Sequence, residues 1–167
     1  GVEWLGEVPE HWEVVKLSHW FQTASGSTPS RGVSGYYGGD IPWVKTGELL
    51  DGEIRSSQEH LTQVGFDASS LKLLPVDTLL IAMFGQGKTR GRSGLLKIPA
   101  TVNQACLGVL PNPSRVLPEY LQAWFASQYL HLRHVSEARN ATQPNLNAEI
   151  IRSQKVLVPP RPEQAAI

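Results

Sequence analysis

Leu79 to Phe84 is an unbroken apolar run bounded by Asp77 and Gly85, and a short continuous run of this kind predicts a strand buried on both faces. Ala105 to Leu110 is a second such run, and the strand expected at Lys155 to Val158 stops at Pro159 and Pro160. Ile41-Pro-Trp-Val-Lys45 alternates like a half-buried strand with proline near its start. Helical spacing is clearest at Pro118 to Arg133, where Leu121, Trp124, Phe125, Tyr129 and Leu132 share one stripe. Proline at the first position and Glu119 in the first turn complete the signature of one helix there. A shorter helix is expected after Asn145, with that residue as its cap. Trp12 to Leu17 reads as a short strand or helix lead-in, followed by a helical turn over Leu17 to Phe21. Gly26-Ser-Thr-Pro29 and Gly32 to Asp40 read as turn-rich loops. Strands in the middle with helices toward the ends predict an α+β domain with a central, mostly antiparallel sheet or partial barrel and flanking helices.

Composition changes this picture little. A chain of 167 residues, 41% apolar with five Trp, fills one ordinary core. Cys106 is the single cysteine and sits in an apolar run, so it reads as a small core hydrophobe and no disulfide forms within the chain. No apolar stretch approaches the length of a membrane span, and the start is acidic, which leads to the expectation of a cytoplasmic protein without membrane contact. The chain begins with Gly and stops as a helix-compatible run opens at Pro162-Glu-Gln-Ala-Ala-Ile167, so it is expected to continue beyond Ile167.

Charge changes it more. Fifteen Lys and Arg balance fifteen Asp and Glu, which excludes a general polyanion binder. Yet no acidic residue lies between Asp77 and Glu119, a span that holds Lys88, Arg90, Arg92, Lys97 and Arg115. Three of these fall in the glycine-spaced run Gly85-Gln-Gly-Lys-Thr-Arg-Gly-Arg-Ser-Gly94. Glycines allow close approach of backbone to ligand, and guanidinium, ammonium and amide groups suit phosphates and base edges. The spacing of Gln86, Lys88, Arg90 and Arg92 places alternate side chains toward one groove. Lys97 is the candidate for holding a phosphate.

Other chemistries fit less well. Ala82 to Thr89 matches a relaxed phosphate-loop pattern after a strand, which makes a nucleotide-binding protein the alternative reading. That site requires a helix directly after Lys88-Thr89, and Arg90-Gly-Arg-Ser-Gly94 with Pro99 opposes one. Asn112-Pro113-Ser114 lacks the second proline and aromatic of a methyltransferase motif and reads as a turn. His131 and His134 share helical spacing, with only Glu137 as a nearby carboxylate, so a metal site is not expected. Tyr36 and Tyr37 read as locally packed turn aromatics. A protein-interaction domain in which Lys88 to Lys97 is a solvated hairpin is the blander alternative.

Several segments carry a resemblance in order and spacing: Glu3-Trp-Leu-Gly-Glu-Val-Pro-Glu-His-Trp12, Gly26-Ser-Thr-Pro29, Gly38-Gly-Asp-Ile-Pro-Trp43, Thr101-Val-Asn-Gln104, Ala141-Thr-Gln-Pro-Asn145 and Pro159-Pro-Arg-Pro-Glu-Gln164. Together they resemble a target recognition domain of the DNA specificity subunit of type I restriction-modification systems. The resemblance implies a non-catalytic reader of one half of a bipartite double-stranded DNA target, with residues 1–160 as the recognition domain and 161–167 as the start of a spacer helix. It implies a DNA adenine methyltransferase subunit and a restriction and translocase subunit as partners. S-adenosylmethionine, ATP and Mg are then expected only on those partners, with no cofactor or metal on this chain. On this reading Gln86, Lys88, Thr89, Arg90 and Arg92 form the leading DNA-contact loop. Arg31, Lys45, Thr46, Asn103, Gln104, Arg139 and Gln143 are further candidates.

Overall fold

The computed structural model describes residues 6–85, 87–139 and 144–167. In chain order the elements are β1 (Glu13–Lys16), α1 (Leu17–Trp20), β2 (Thr23–Ser25), β3 (Tyr37–Val44), β4 (Gly52–Ile54), β5 (Glu59–Leu61), α2 (Gln63–Asp67), β6 (Leu79–Ala82), β7 (Ser93–Leu96), β8 (Thr101–Val102), β9 (Cys106–Val109), α3 (Pro118–Ser127), α4 (Tyr129–Arg139), α5 (Ala148–Arg152), β10 (Lys155–Val158) and α6 (Arg161–Gln164). The strands form a five-stranded sheet in the order β2-β9-β6-β7-β4, a three-stranded sheet β5-β3-β8, and a β1-β10 pair. Pairing is antiparallel except at β3 with β8 and β4 with β7. Among the described residues no barrel closes, and the expected α+β class with an antiparallel-rich sheet is what the chain adopts.

The apolar runs are continuous because the central strands are covered on both sides. Every residue of β6, β7 and β9 is buried. Leu79 and Ile81 point into a core with Leu121, Trp124 and Phe125 of α3 and Ile150 and Ile151 of α5. Their neighbours Leu80 and Ala82 point the other way, into a second core with Val44, Leu74, Val102 and Cys106. Period-two alternation is present, but both phases are apolar. Burial also pushes the Cys106 thiol up, in keeping with a core residue.

Four local readings differ from expectation, the first being that the loop expected over Gly32 to Asp40 gives way at Tyr37 to strand β3, where Tyr37 pairs with Leu61. The stripe at 118–133 is two helices, because Gln128, with ψ near zero, shares its amide between Trp124 and Phe125 carbonyls and ends α3. Helix α5 is capped by Asn147, whose Oδ1 accepts from Ile150 N at 2.8 Å, not by Asn145. The glycine-spaced loop does not stay open as far as Gly94, since Ser93 and Gly94 already lie in the buried strand β7.

The ends of the described chain are joined. Glu163 accepts from Trp12 Nε1 at 2.9 Å and lies 2.8 Å from His11 Nε2. The Trp12 bond, then the His11 bond, holds its carboxyl below the usual range. Gln164 accepts from Leu117 N, at the start of α3, and donates to Pro159 O. Arg161–Gln164 form the short helix α6, and a turn follows it at 165–166.

Candidate nucleic-acid interface

Strand register gathers the candidate loops at one end of the sheets. Ala82 at the end of β6 pairs with Cys106 at the start of β9, and Met83 N then donates to Ala105 O at 2.8 Å. Ser25, ending β2, pairs with Leu107, so Gly26 leaves at the same edge. Because β3 and β8 run parallel with Val44 beside Val102, Lys45 and Asn103 emerge together. Parallel β4 and β7 likewise place Asp51 beside Ser93, whose carbonyl accepts from Asp51 N at 2.8 Å. Two sheets meet at this end: Ser27 N donates to Val102 O at 3.1 Å. Gly26 has to be glycine here, since a Cβ would sit 2.1 Å from Val102 O and 2.2 Å from Asn103 O. Lys97 lies at the opposite end, held by Asp77 at 2.8 Å and Glu119 at 2.7 Å.

The cationic loop is fastened to α4. Tyr129 Oη donates to Lys88 O at 2.9 Å, and Arg133 Nη1 donates to Gly87 O at 3.0 Å. Arg90 is turned inward, 7% exposed. Its guanidinium donates to Pro144 O at 2.7 Å and to Glu137 at 2.9 Å. The alternation expected of Lys88, Arg90 and Arg92 toward one side fails because Gly91 takes φ +86°, a left-handed conformation that rotates the chain between the two arginines. A Cβ at Gly91 would lie 3.6 Å from both Leu132 Cβ and Arg133 Cγ, so the loop runs close over the helix there.

Arg92 remains partly exposed. It pairs with Asp51 and stacks 4.5 Å above the Tyr129 ring. The Asp51 hydrogen bond shifts the Arg92 guanidinium upward. Asp51 has φ +60° and accepts from Ser93 N at 2.8 Å. The turn before β4 is thus joined to the loop after β6.

A second cluster stands on the three-stranded sheet. Arg31 and Lys45 share Glu59, at 2.8 and 2.5 Å. The Arg31 guanidinium lies 4.6 Å from the Tyr37 ring and 4.8 Å from Trp43 and is shifted upward by its bond to Glu59. Glu59 is held below the usual carboxylate range by Arg31 first and Lys45 second. An open cavity of about 460 Å³ adjoins Arg31, Tyr37, Glu59 and His60. Next to it, Thr28 donates to Gln104 Oε1, while Trp43 Nε1 donates to Ser27 O at 3.1 Å.

Of the residues singled out in the sequence, Arg31, Lys45, Thr46, Lys88, Thr89, Arg92, Asn103 and Gln104 are brought to this end. Arg90 is there too, but internal. Gln86, Gln143 and the side chain of Arg139 lie outside the described residues. Sequence reasoning missed Asp51, Glu59, Tyr129 and Arg133, which orient the candidates. Tyr129 was hidden by its place on an apolar stripe; its hydroxyl is the one signal that it had a polar partner.

Rival chemistries lose their footing in the geometry. A turn and strand β7 follow Lys88-Thr89, so no helix presents its amides to a phosphate. Lys88 to Lys97 is not a solvated hairpin, because β7 is wholly buried. Asn112 to Val116 is a turn, with Arg115 N and Val116 N both bonded to Asn112 O. Among the described residues, no group of three or more His, Cys, Asp or Glu is arranged for a metal ion, and no helix is long and apolar enough to cross a membrane.

Residues 9–167 match the family described as the type I restriction modification DNA specificity domain. The chain belongs to that family. It is 29% identical to the type I restriction enzyme MjaIX specificity subunit of Methanocaldococcus jannaschii, over 98% of this chain and 38% of that protein. It is 26% identical to the EcoR124I/EcoR124II specificity subunit of Escherichia coli, over 97% of this chain and 39% of that one. This DNA specificity domain therefore spans about two fifths of the length of those relatives. Its fold matches the HsdS subunit from Thermoanaerobacter tengcongensis with a TM-score of 0.71 at 13% identity, over 97% of this chain and 36% of that one. The S subunit from M. genitalium matches with a TM-score of 0.64 at 12% identity, over 96% and 38%.

Proposed function

We propose that this DNA specificity domain reads one half of a bipartite duplex target and presents that site to partner subunits, performing no chemistry itself. The observation that carries the reading is the convergence of Lys45, Lys88, Thr89, Arg92, Asn103 and Gln104 at one end of the sheets. Such a set combines phosphate-holding cations with amides and a guanidinium suited to base edges in the major groove. Zero net charge keeps attraction to arbitrary DNA modest, so selection rests on these short-range contacts. Arg31 and Thr46 flank the set, and Gln86, Arg139 and Gln143 stay in the proposal on their side-chain chemistry.

Methylation is assigned to a DNA adenine methyltransferase subunit carrying S-adenosylmethionine. Cleavage is assigned to a restriction and translocase subunit carrying ATP and Mg, the complex working in the cytoplasm. The family supports that division of labour, as does the turn after Lys88-Thr89. Residues 161–167 would begin the spacer helix on which the partners dock, and the anchoring of Glu163 and Gln164 to the domain supports a defined exit direction.

Site selection from a randomised duplex library by the assembled methyltransferase complex tests this. Lys88→Ala is expected to weaken all sequences alike and lower the salt slope by about one, whereas Gln104→Ala relaxes one position. An unchanged half-site and affinity for Lys45→Ala, Lys88→Ala and Gln104→Ala combined would overturn the reading. ATP turnover by the chain that Lys88→Ala abolishes would replace it with the phosphate-loop alternative.

A further inference from the structure

We propose that Arg92 is a guanine-reading arginine, held in its reading orientation by Asp51 and the Tyr129 ring. This rests on the DNA-reading function above and adds a base and a positioning residue to it. Two arginines stand two residues apart in the loop, and the fold treats them oppositely. Arg90 is buried against Glu137 and Pro144. Arg92 is exposed by about a third of its side chain.

The Arg92 guanidinium carries five N–H donors. Nε donates to Lys88 O at a long 3.4 Å, and Nη1 donates to Asp51. The Tyr129 hydroxyl adds to the hold on the guanidinium, and beyond it no bond to the remaining Nη1 hydrogen or to Nη2 occurs among the described residues. A pair of adjacent donors from Nη1 and Nη2 is what the O6 and N7 acceptors of guanine require. The ring of Tyr129 supports the guanidinium plane at 4.5 Å, so one face and one edge are held while the outer edge stays open.

The chemistry of Asp51 separates a base contact from a phosphate contact. A carboxylate beside the guanidinium cancels its net charge and repels a phosphate. It leaves the directional donors intact for a neutral base edge. Lys88, exposed in the same loop, has no carboxylate partner among the described residues and suits a phosphate. Asp51 also keeps a left-handed backbone at φ +60°, a conformation that costs energy outside glycine and persists where surrounding bonds hold it. Those bonds come from Ser93 N, Ser93 Oγ and Arg92. Asp51 is therefore a positioning residue.

The experiment uses the assembled methyltransferase complex and a randomised duplex library. Asp51→Asn is informative because Asn also adopts the left-handed region and keeps one oxygen for Ser93 N, while its amide replaces an acceptor of Arg92. Arg92→Lys keeps the charge and loses the planar fork. Each is expected to relax selection at the same G·C pair by about tenfold or more, the scale of a lost bidentate contact, and the double variant should relax it no further. If Arg92→Lys leaves every guanine preference unchanged while Lys88→Ala or Gln104→Ala alters site selection, the inference falls and the DNA-reading function stands. Relaxation at an A·T pair instead overturns the guanine assignment. If none of these variants alters selection, the DNA-reading function falls with it. Near-ultraviolet circular dichroism reports whether Asp51→Asn folds, and if it does not, the Arg92→Lys profile alone decides.

Discussion

The amide of Met83 donates to the carbonyl of Ala105 at 2.8 Å, one step beyond the last pair of the β6–β9 ladder. That bond sets the loop after β6 beside the turn that carries Asn103 and Gln104. Leu146 N in turn donates to Met83 O at 3.0 Å, drawing the chain before α5 to the same place. Residues more than sixty positions apart are thus brought to one edge by backbone bonds alone.

The seam between the two sheets depends on Gly26. A methyl group there would overlap two backbone oxygens, which cannot retreat as a side chain would. Gly26→Ala should cost about 1–3 kcal/mol, the range for overpacking, in denaturant unfolding. Gly47→Ala, where a Cβ meets nothing within 4 Å, is the matched control and should unfold like the parent.

Arg90 clamps the loop from inside. Arg90→Ala leaves the Pro144 carbonyl without its donor and should lower stability by about 1–3 kcal/mol. Hydrogen exchange should show faster opening of residues 87–92. The check is whether Glu137→Gln, which alters only the solvent-facing partner, costs less than Arg90→Ala.

Glu59 divides one negative charge between Arg31 and Lys45. Glu59→Gln should release both cations toward phosphates, raise affinity for non-cognate duplex and steepen the salt slope by up to about two contacts. Titration of a scrambled duplex at several salt concentrations measures this directly.

Stability should respond to pH mainly on the acid side. Glu59, Glu119 and Glu163 are held below their ordinary 4.5 by bonds from Arg31, Lys97 and Trp12 respectively. Their contribution is complete above that value and drains away as pH falls through the lower folded values. Burial shifts His131 downward from 6.5, so its neutral form is favoured in the fold and a shallower loss begins as pH drops below 6.5. Arg31 and Arg92 are shifted upward from the ordinary guanidinium range by their bonds to Glu59 and Asp51, and Lys97 is shifted upward from its ordinary amine range. Their contribution is complete below those ranges and disappears only as pH rises through the folded values. Thermal midpoints should therefore be level from about pH 7 to 9 and fall toward pH 3.

The central strands were legible because burial on both faces leaves an unbroken apolar run, as at Leu79 to Ala82. The short strands were not. Gly52–Ile54 and Glu59–Leu61 hold three residues each and exist through pairing with distant strands, which leaves no local period. Ser93–Leu96 was hidden by the glycines and arginines before it. Within the candidate interface, side-chain chemistry marked Lys88, Arg92 and Gln104, but not which way each points. That depended on Gly91 turning the chain and on Asp51, Tyr129 and Glu137, all reached through tertiary contacts. The split of the helix stripe at Gln128 was invisible for a related reason: an apolar stripe records which face is buried, not whether the backbone runs straight beneath it.

The claim that one end of the sheets faces DNA is tested most directly by photo-cross-linking from single positions in the assembled complex. A cross-linker at Lys88 or Gln104 should capture duplex carrying the cognate half-site. One at Lys97, at the far end between Asp77 and Glu119, should not. Capture from Lys97 with none from Lys88 or Gln104 would contradict the account, because the loops gathered by the Met83–Ala105 seam would then face away from the DNA.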